Sequence, residues 1–138
     1  MMTVKNVFDV AQRAMTSQLT RLNTVASNLA NVNSVSGTEE GAYRAMRPVF
    51  KTIYAENTKD SGLSSVGVER IVQLDRAPER LYQPEHPEAD ADGFVYQAVV
   101  NTEEEMVEMM EASRQYQNTV EVISTMRALM ARTVNMGQ

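Results

Sequence analysis

Thr102-Glu103-Glu104-Glu105-Met106-Val107-Glu108-Met109-Met110-Glu111-Ala112 opens a stretch, residues 102–138, that contains no proline and only one glycine, Gly137. Within it Met109, Tyr116, Ile123 and Met130 recur every seven residues, with Ala112, Thr119 and Met126 on one flank and Val120 and Val134 on the other. That spacing predicts an amphipathic helix with a narrow apolar stripe. Thr102 to Glu105 reads as its capping box, in which the Thr hydroxyl and the third Glu satisfy amides that the first turn leaves unpaired. The acidic start also suits the positive end of a helix. A second ladder at the other end of the chain has Phe8, Met15, Leu22 and Leu29 seven apart, with Val4, Ala11 and Val25 nearby and Gln18 interrupting one layer. At 1.5 Å per residue, about 30 residues give a rod of about 45 Å for each helix, well beyond the usual globular length.

Between the ladders the composition changes. All four prolines and five of the six glycines lie from residue 37 to residue 93. The segments 43–54, 66–74, 81–82 and 94–100 are rich in β-branched and aromatic residues and are separated by Gly, Pro, Asp and Ser clusters, which predicts short strands. Residues 34–42 and 57–65 read as mobile loops. The expected fold class is α+β: long N- and C-terminal helices forming a coiled-coil-like layer, with a small β-rich middle segment. The corresponding division is 1–36, 37–101 and 102–138. Residues 1–31 carry a net charge of +2 and residues 102–138 a net charge of −3, so the two helices are electrostatically compatible. Stripes this narrow suit pairing with each other and then with other subunits. The alternative is an intramolecular helical hairpin lying on a small sheet.

The same residues exclude much chemistry. The 138 residues include no cysteine, no tryptophan and one histidine, which removes disulfide scaffolds, thiol nucleophiles and the usual zinc and triad constellations. A net charge of −5 argues against nucleic acid, whose binding needs clustered positive charge. The N-terminus has no apolar core of signal-peptide length, and no run of about 20 apolar residues could insert in a membrane. No catalytic, cofactor-binding or metal-binding residues are expected. Asp90-Ala91-Asp92-Gly93 looks like the opening of a calcium loop but lacks the further ligands, so it reads as a turn. His86 stands between prolines without a nucleophile beside it. Glu103 to Glu105 cannot converge on one ion, because consecutive helical positions point about 100° apart, so capping and solvation account for them. Met106, Met109 and Met110 read as packing in the helix seam, with a docking surface as the alternative.

The sharpest local feature is Ala26-Ser27-Asn28-Leu29-Ala30-Asn31-Val32-Asn33-Ser34. Small residues at 26, 27 and 30 allow close helix approach, and the asparagines can bond neighbouring backbones as a polar C-terminal cap. This segment resembles the Ala-Ser-Asn-Leu-Ala-Asn signature of the bacterial flagellar rod, hook and hook-associated axial proteins. Gly41-Ala42-Tyr43-Arg44, Pro87 to Val95, Ala112 to Val122 and the ending Thr133 to Gln138 look like the proximal-rod branch of that family. The likeness is weakest from about residue 55 to 80, and Ala98-Val99-Val100 departs from the family's Pro-Asn-Val step. The resemblance implies an axial structural protein, with an inner layer of terminal helices and an outer β-rich segment. It also implies assembly with itself and other flagellar rod proteins, and export by the flagellar type III apparatus rather than by a cleaved signal peptide. Phe8, Met15, Leu22 and Leu29, with Met109, Tyr116, Ile123 and Met130, are then the expected subunit-interface knobs. Ala26, Asn28 and Asn31 are expected to shape and orient the junction. Exposed stripes before assembly predict termini that fold on incorporation. The competing expectation is a small acidic adaptor, such as a type III secretion chaperone, acting as a discrete dimer.

Overall fold

The computed structural model describes the backbone of residues 4–54 and 64–137 and the side chains of residues 6–54 and 64–137. The first helix, α1, spans Val4–Ala30, and the second, α2, spans Thr102–Met136. Five strands lie between them: β1 Val35–Ser36, β2 Met46–Tyr54, β3 Ser64–Gln73, β4 Arg80–Tyr82 and β5 Phe94–Gln97. The α+β class read from the sequence is the one found.

The helices pair with each other. Residues 28 and 105 meet at one end, and residue 21 meets residues 108 and 111 further along, so the pair is antiparallel. A second flank of α1, where Ser17 and Thr24 are buried, carries the β2–β3 hairpin. The helix therefore lies between α2 on one side and the hairpin on the other. In the hairpin Met46 stands opposite Gln73 and Tyr54 opposite Ser64, with a register shift after Val49. The second sheet has the order β1-β5-β4, all antiparallel, with Val95 of β5 completely buried. Residues 43–45 join the two sheets: Val99 N donates to Tyr43 O, Ala45 N to Val99 O, and Leu74 N to Ala45 O.

The four segments expected to be strands correspond to β2, β3, β4 and β5, although β3 begins two residues and β4 one residue before the expected bounds. The last stops at Gln97, and residues beyond it continue as extended chain, with Val99 bridging Arg44 in parallel. The 34–42 segment is not the free loop it was expected to be. It contributes β1, and Ser36 Oγ and Thr38 Oγ1 accept from the amides of Thr38 and Gly41. The reason is local: short hydroxyl side chains offer the backbone turn partners that hydropathy does not register. Of the other expected loop, residues 57–63 lie outside the described residues.

The start of α2 also differs from expectation. Its N-cap is Asn101, whose Oδ1 accepts from Glu103 N at 3.0 Å and Glu104 N at 3.2 Å. Thr102 is already the first helical residue, and Glu105 does not turn back to close a capping box. One residue of displacement suffices, because Asn in extended conformation is as good a cap as Thr, and it frees Glu105 to point inward.

Candidate functional site

The junction of the two helices is built around Asn28, in the last turn of α1. Its side chain is fully buried, and all four of its hydrogen-bonding positions are used. Nδ2 donates to Met46 O at 2.9 Å and to Glu105 Oε2 at 3.0 Å. Oδ1 accepts from Met46 N at 2.9 Å and from the Tyr43 hydroxyl at 2.8 Å. The side-chain amide thus pairs with the first residue of β2 as a neighbouring strand would, while one donor continues into α2. Glu105, equally buried, completes its charge balance with Arg47 Nη2 at 2.6 Å from Oε1, and Arg47 Nη1 donates to Met46 O. A buried carboxylate is tolerated when a cation and further donors surround it. One node therefore fixes α1, α2 and the hairpin relative to one another.

A second polar tie lies two turns away. Arg21 Nε donates to Glu108 Oε2 at 2.8 Å, and its Nη2 lies 2.7 Å from Glu108 and 3.3 Å from Glu111. At the foot of α2, Arg76 pairs with Glu104 at 3.0 Å.

These contacts set the rotation of α2, and that rotation is not the one the sequence ladder suggested. The line facing α1 runs through Glu105, Ala112, Thr119 and Met126, with Ala112 completely buried. Tyr116 and Ile123 are half-buried beside it, whereas Met109 and Met130 are 38% and 40% exposed. Met106 and Met110 are more open still, so the methionine cluster does not fill the seam within the chain. The polar node decides this outcome: turning Met109 inward would rotate Glu105 away from Asn28 and Arg47. The reading of Glu105 as a solvated capping residue is corrected by the same geometry.

On α1 the buried residues are Ala11, Ser17, Thr24, Val25 and Asn28, and Phe8, Met15, Leu22 and Leu29 are half-buried. Ala26 and Ala30 are exposed, so the small residues of the signature do not bring α1 and α2 together within one chain. Asn31 caps locally, its Nδ2 donating to Ser27 O at 2.8 Å. Gln18, which interrupts the stripe, has a buried Oε1 with no hydrogen-bond partner among the described residues.

The Asp90 to Gly93 segment is a turn. Asp90 Oδ1 accepts from the amides of Asp92 and Phe94, and Gly93 adopts φ +83°. His86 Nδ1 accepts from Glu88 N in a neighbouring turn. Among the described residues no group of three His, Asp or Glu is placed to hold a metal ion, and no helix is long and apolar enough to cross a membrane.

Arg47 and Arg21 were not singled out from the sequence as contact residues, and Glu105 and Tyr43 were noticed there for a cap and for a resemblance rather than for this junction. The available signal was position: Glu105 lies seven residues before Ala112, on the apolar line where a charged residue demands a partner.

The two ends that form the helix pair are also the two ends matched by known families. Residues 8–37 match the model for flagella basal body rod proteins, and residues 91–136 match the model for the C-terminal part of the flagellar basal body rod FlgEFG proteins. The class is therefore that of the flagellar rod proteins. The flagellar basal-body rod protein FlgC of Escherichia coli O6:H1 is 42% identical over 138 residues, covering 99% of this chain and all of the relative. Those of Salmonella typhimurium and Yersinia enterocolitica are 41% and 43% identical, with the same coverage. The chain belongs to the family of flagellar basal-body rod protein FlgC.

Proposed function

We propose that this chain is a structural subunit of the rod of the bacterial flagellar basal body, built in through its two terminal helices. Its family supports a structural, non-enzymatic role and sets aside the chaperone reading. The observation that carries the mechanism is the contrast between the two halves of the helix pair. The junction at Asn28 and Glu105 is closed and buried, held by the Asn28 hydrogen bonds and the Arg47 ion pair, while large apolar residues of α2, among them Leu129, Val134 and Met136, remain exposed. A rigid junction with unsatisfied apolar faces suits a part whose partners complete its packing. Transmission of torque needs many such contacts in a repeating, non-closing arrangement rather than a reactive site.

In this reading residues 1–36 and 102–138 form the axial core unit and residues 37–101 the outer segment. Phe8, Met15, Leu22 and Leu29, only half-buried in the chain, offer their remaining surface to neighbouring subunits, as do Met109, Tyr116, Ile123 and Met130. Copies of this chain and the other rod proteins are the partners, and the flagellar type III apparatus delivers it.

The test is complementation of a flagellated bacterium lacking its own FlgC. The wild-type chain is expected to restore basal bodies that contain it. Leu22→Asp and Ile123→Asp are expected to be exported yet absent from them. Incorporation of both variants at the wild-type level contradicts the interface.

A further inference from the structure

We propose that the last turns of α2 dock on the outward face of α2 in a second copy of the chain, parallel to it and offset by 24 residues, so that copies join head to tail. The proposal deepens the rod-subunit reading and rests on it.

The last turns of α2, from Arg127 onward, carry side chains that are all exposed. Within them Arg127, Met130 and Val134 form a stripe at i, i+3 and i+7, with Met130 40% and Val134 64% exposed. At the opposite end Glu103, Met106 and Met110 repeat the same spacing on the side of α2 turned away from α1, with Met106 51% and Met110 63% exposed. The two stripes match residue for residue. Where one begins with a guanidinium the other begins with a carboxylate, and both continue with two exposed apolar side chains.

A parallel shift places Arg127 over Glu103, Met130 over Met106 and Val134 over Met110. At 1.5 Å per residue, the shift is about 36 Å along the helix. An antiparallel copy reverses the order and sets Arg127 beside Met110 and Val134 beside Glu103, losing both the ion pair and the apolar match. The wider charge distribution agrees: five Glu and no Arg lie between residues 103 and 111, and three Arg with one Glu between 112 and 136. Among the described residues neither Glu103 nor Arg127 has an ion-pair partner in its own chain. Because the two stripes lie on different faces of α2, the contact is heterologous and does not close on itself as a twofold dimer.

Absence of cysteine makes the test direct. The chain carrying Met110→Cys and Val134→Cys replaces FlgC in a flagellated bacterium, and isolated basal bodies are oxidised and run on non-reducing gels. The two positions are too far apart on one helix to bond within a chain, so disulfide-linked dimers or larger species report contact between copies. The expected result is such species from this pair, with none from either single variant or from Glu103→Cys with Val134→Cys. Basal bodies that contain the 110/134 chain without covalent species, or species from the 103/134 pair, overturn the proposal while leaving the rod role intact. Absence of even the wild-type chain from basal bodies overturns both. Independently, Arg127→Glu is expected to lose incorporation and Glu103→Arg in the same chain to restore it, with helix content by circular dichroism unchanged in both. Full incorporation of Arg127→Glu alone, or no recovery in the double variant, contradicts the register.

Discussion

Asn28 donates from Nδ2 to Glu105 Oε2 at 3.0 Å, joining the last turn of the first helix to the first turn of the second across 77 positions of sequence, with both side chains fully buried. Together with Arg47 on Glu105 Oε1, this contact holds the helix pair and the hairpin in one arrangement.

Removing either partner strands the other. Asn28→Ala and Glu105→Ala are each expected to cost about 3 kcal/mol, since a buried polar or charged group is left unpaired. The double variant is expected to cost less than the sum of the two. Urea unfolding followed by circular dichroism measures all three. Additive losses would show that the two residues act separately.

Gln18 offers the opposite sign. Its buried Oε1 accepts nothing among the described residues, so Gln18→Leu is expected to stabilise the isolated chain by about 1 kcal/mol. A drop in melting temperature would contradict this.

How much of this was legible in the sequence follows from the kind of signal each feature leaves. The helices were read from seven-residue spacing and the absence of Pro and Gly, and the Asp90–Gly93 turn from its residue types. The rotation of α2 was not legible, because apolar periodicity favours the line through Met109, whereas the line through Glu105 is fixed by a bond to a residue far away in sequence. The same long-range bond hid the roles of Arg47 and Tyr43. Asn28 was noticed for its position in a polar cap, yet its four partners belong to other elements. A two-residue strand such as β1 leaves too few residues for any period to register.

Gly93 carries the positive φ of the turn before β5, and a Cβ there would lie 2.9 Å from Tyr82 Cε2 and 3.1 Å from Pro84 Cβ. Gly93→Ala is therefore expected to destabilise by about 1–2 kcal/mol. It is also expected to alter the near-ultraviolet signal of Tyr82, which packs edge-on against Phe94 at 5.2 Å. An unchanged melting temperature would contradict the strain argument.

The end of α2 should be the least stable part of the helix pair in the free chain. From about Leu129 onward its side chains are exposed, so nothing among the described residues holds these turns against opening. Hydrogen exchange is expected to be fast from Leu129 to Met136 and slow around Val25 and Ala112. Protection of the final turns in the monomer equal to that at Ala112 would contradict it.

The most direct measurement is electron cryomicroscopy of basal bodies from a bacterium in which this chain replaces its own FlgC. The account predicts copies of the chain in the rod, with α1 and α2 paired at Asn28 and Glu105 and the last turns of α2 packed on neighbouring subunits. A rod without this chain, or with the chain present but the two helices separated from each other, would contradict it.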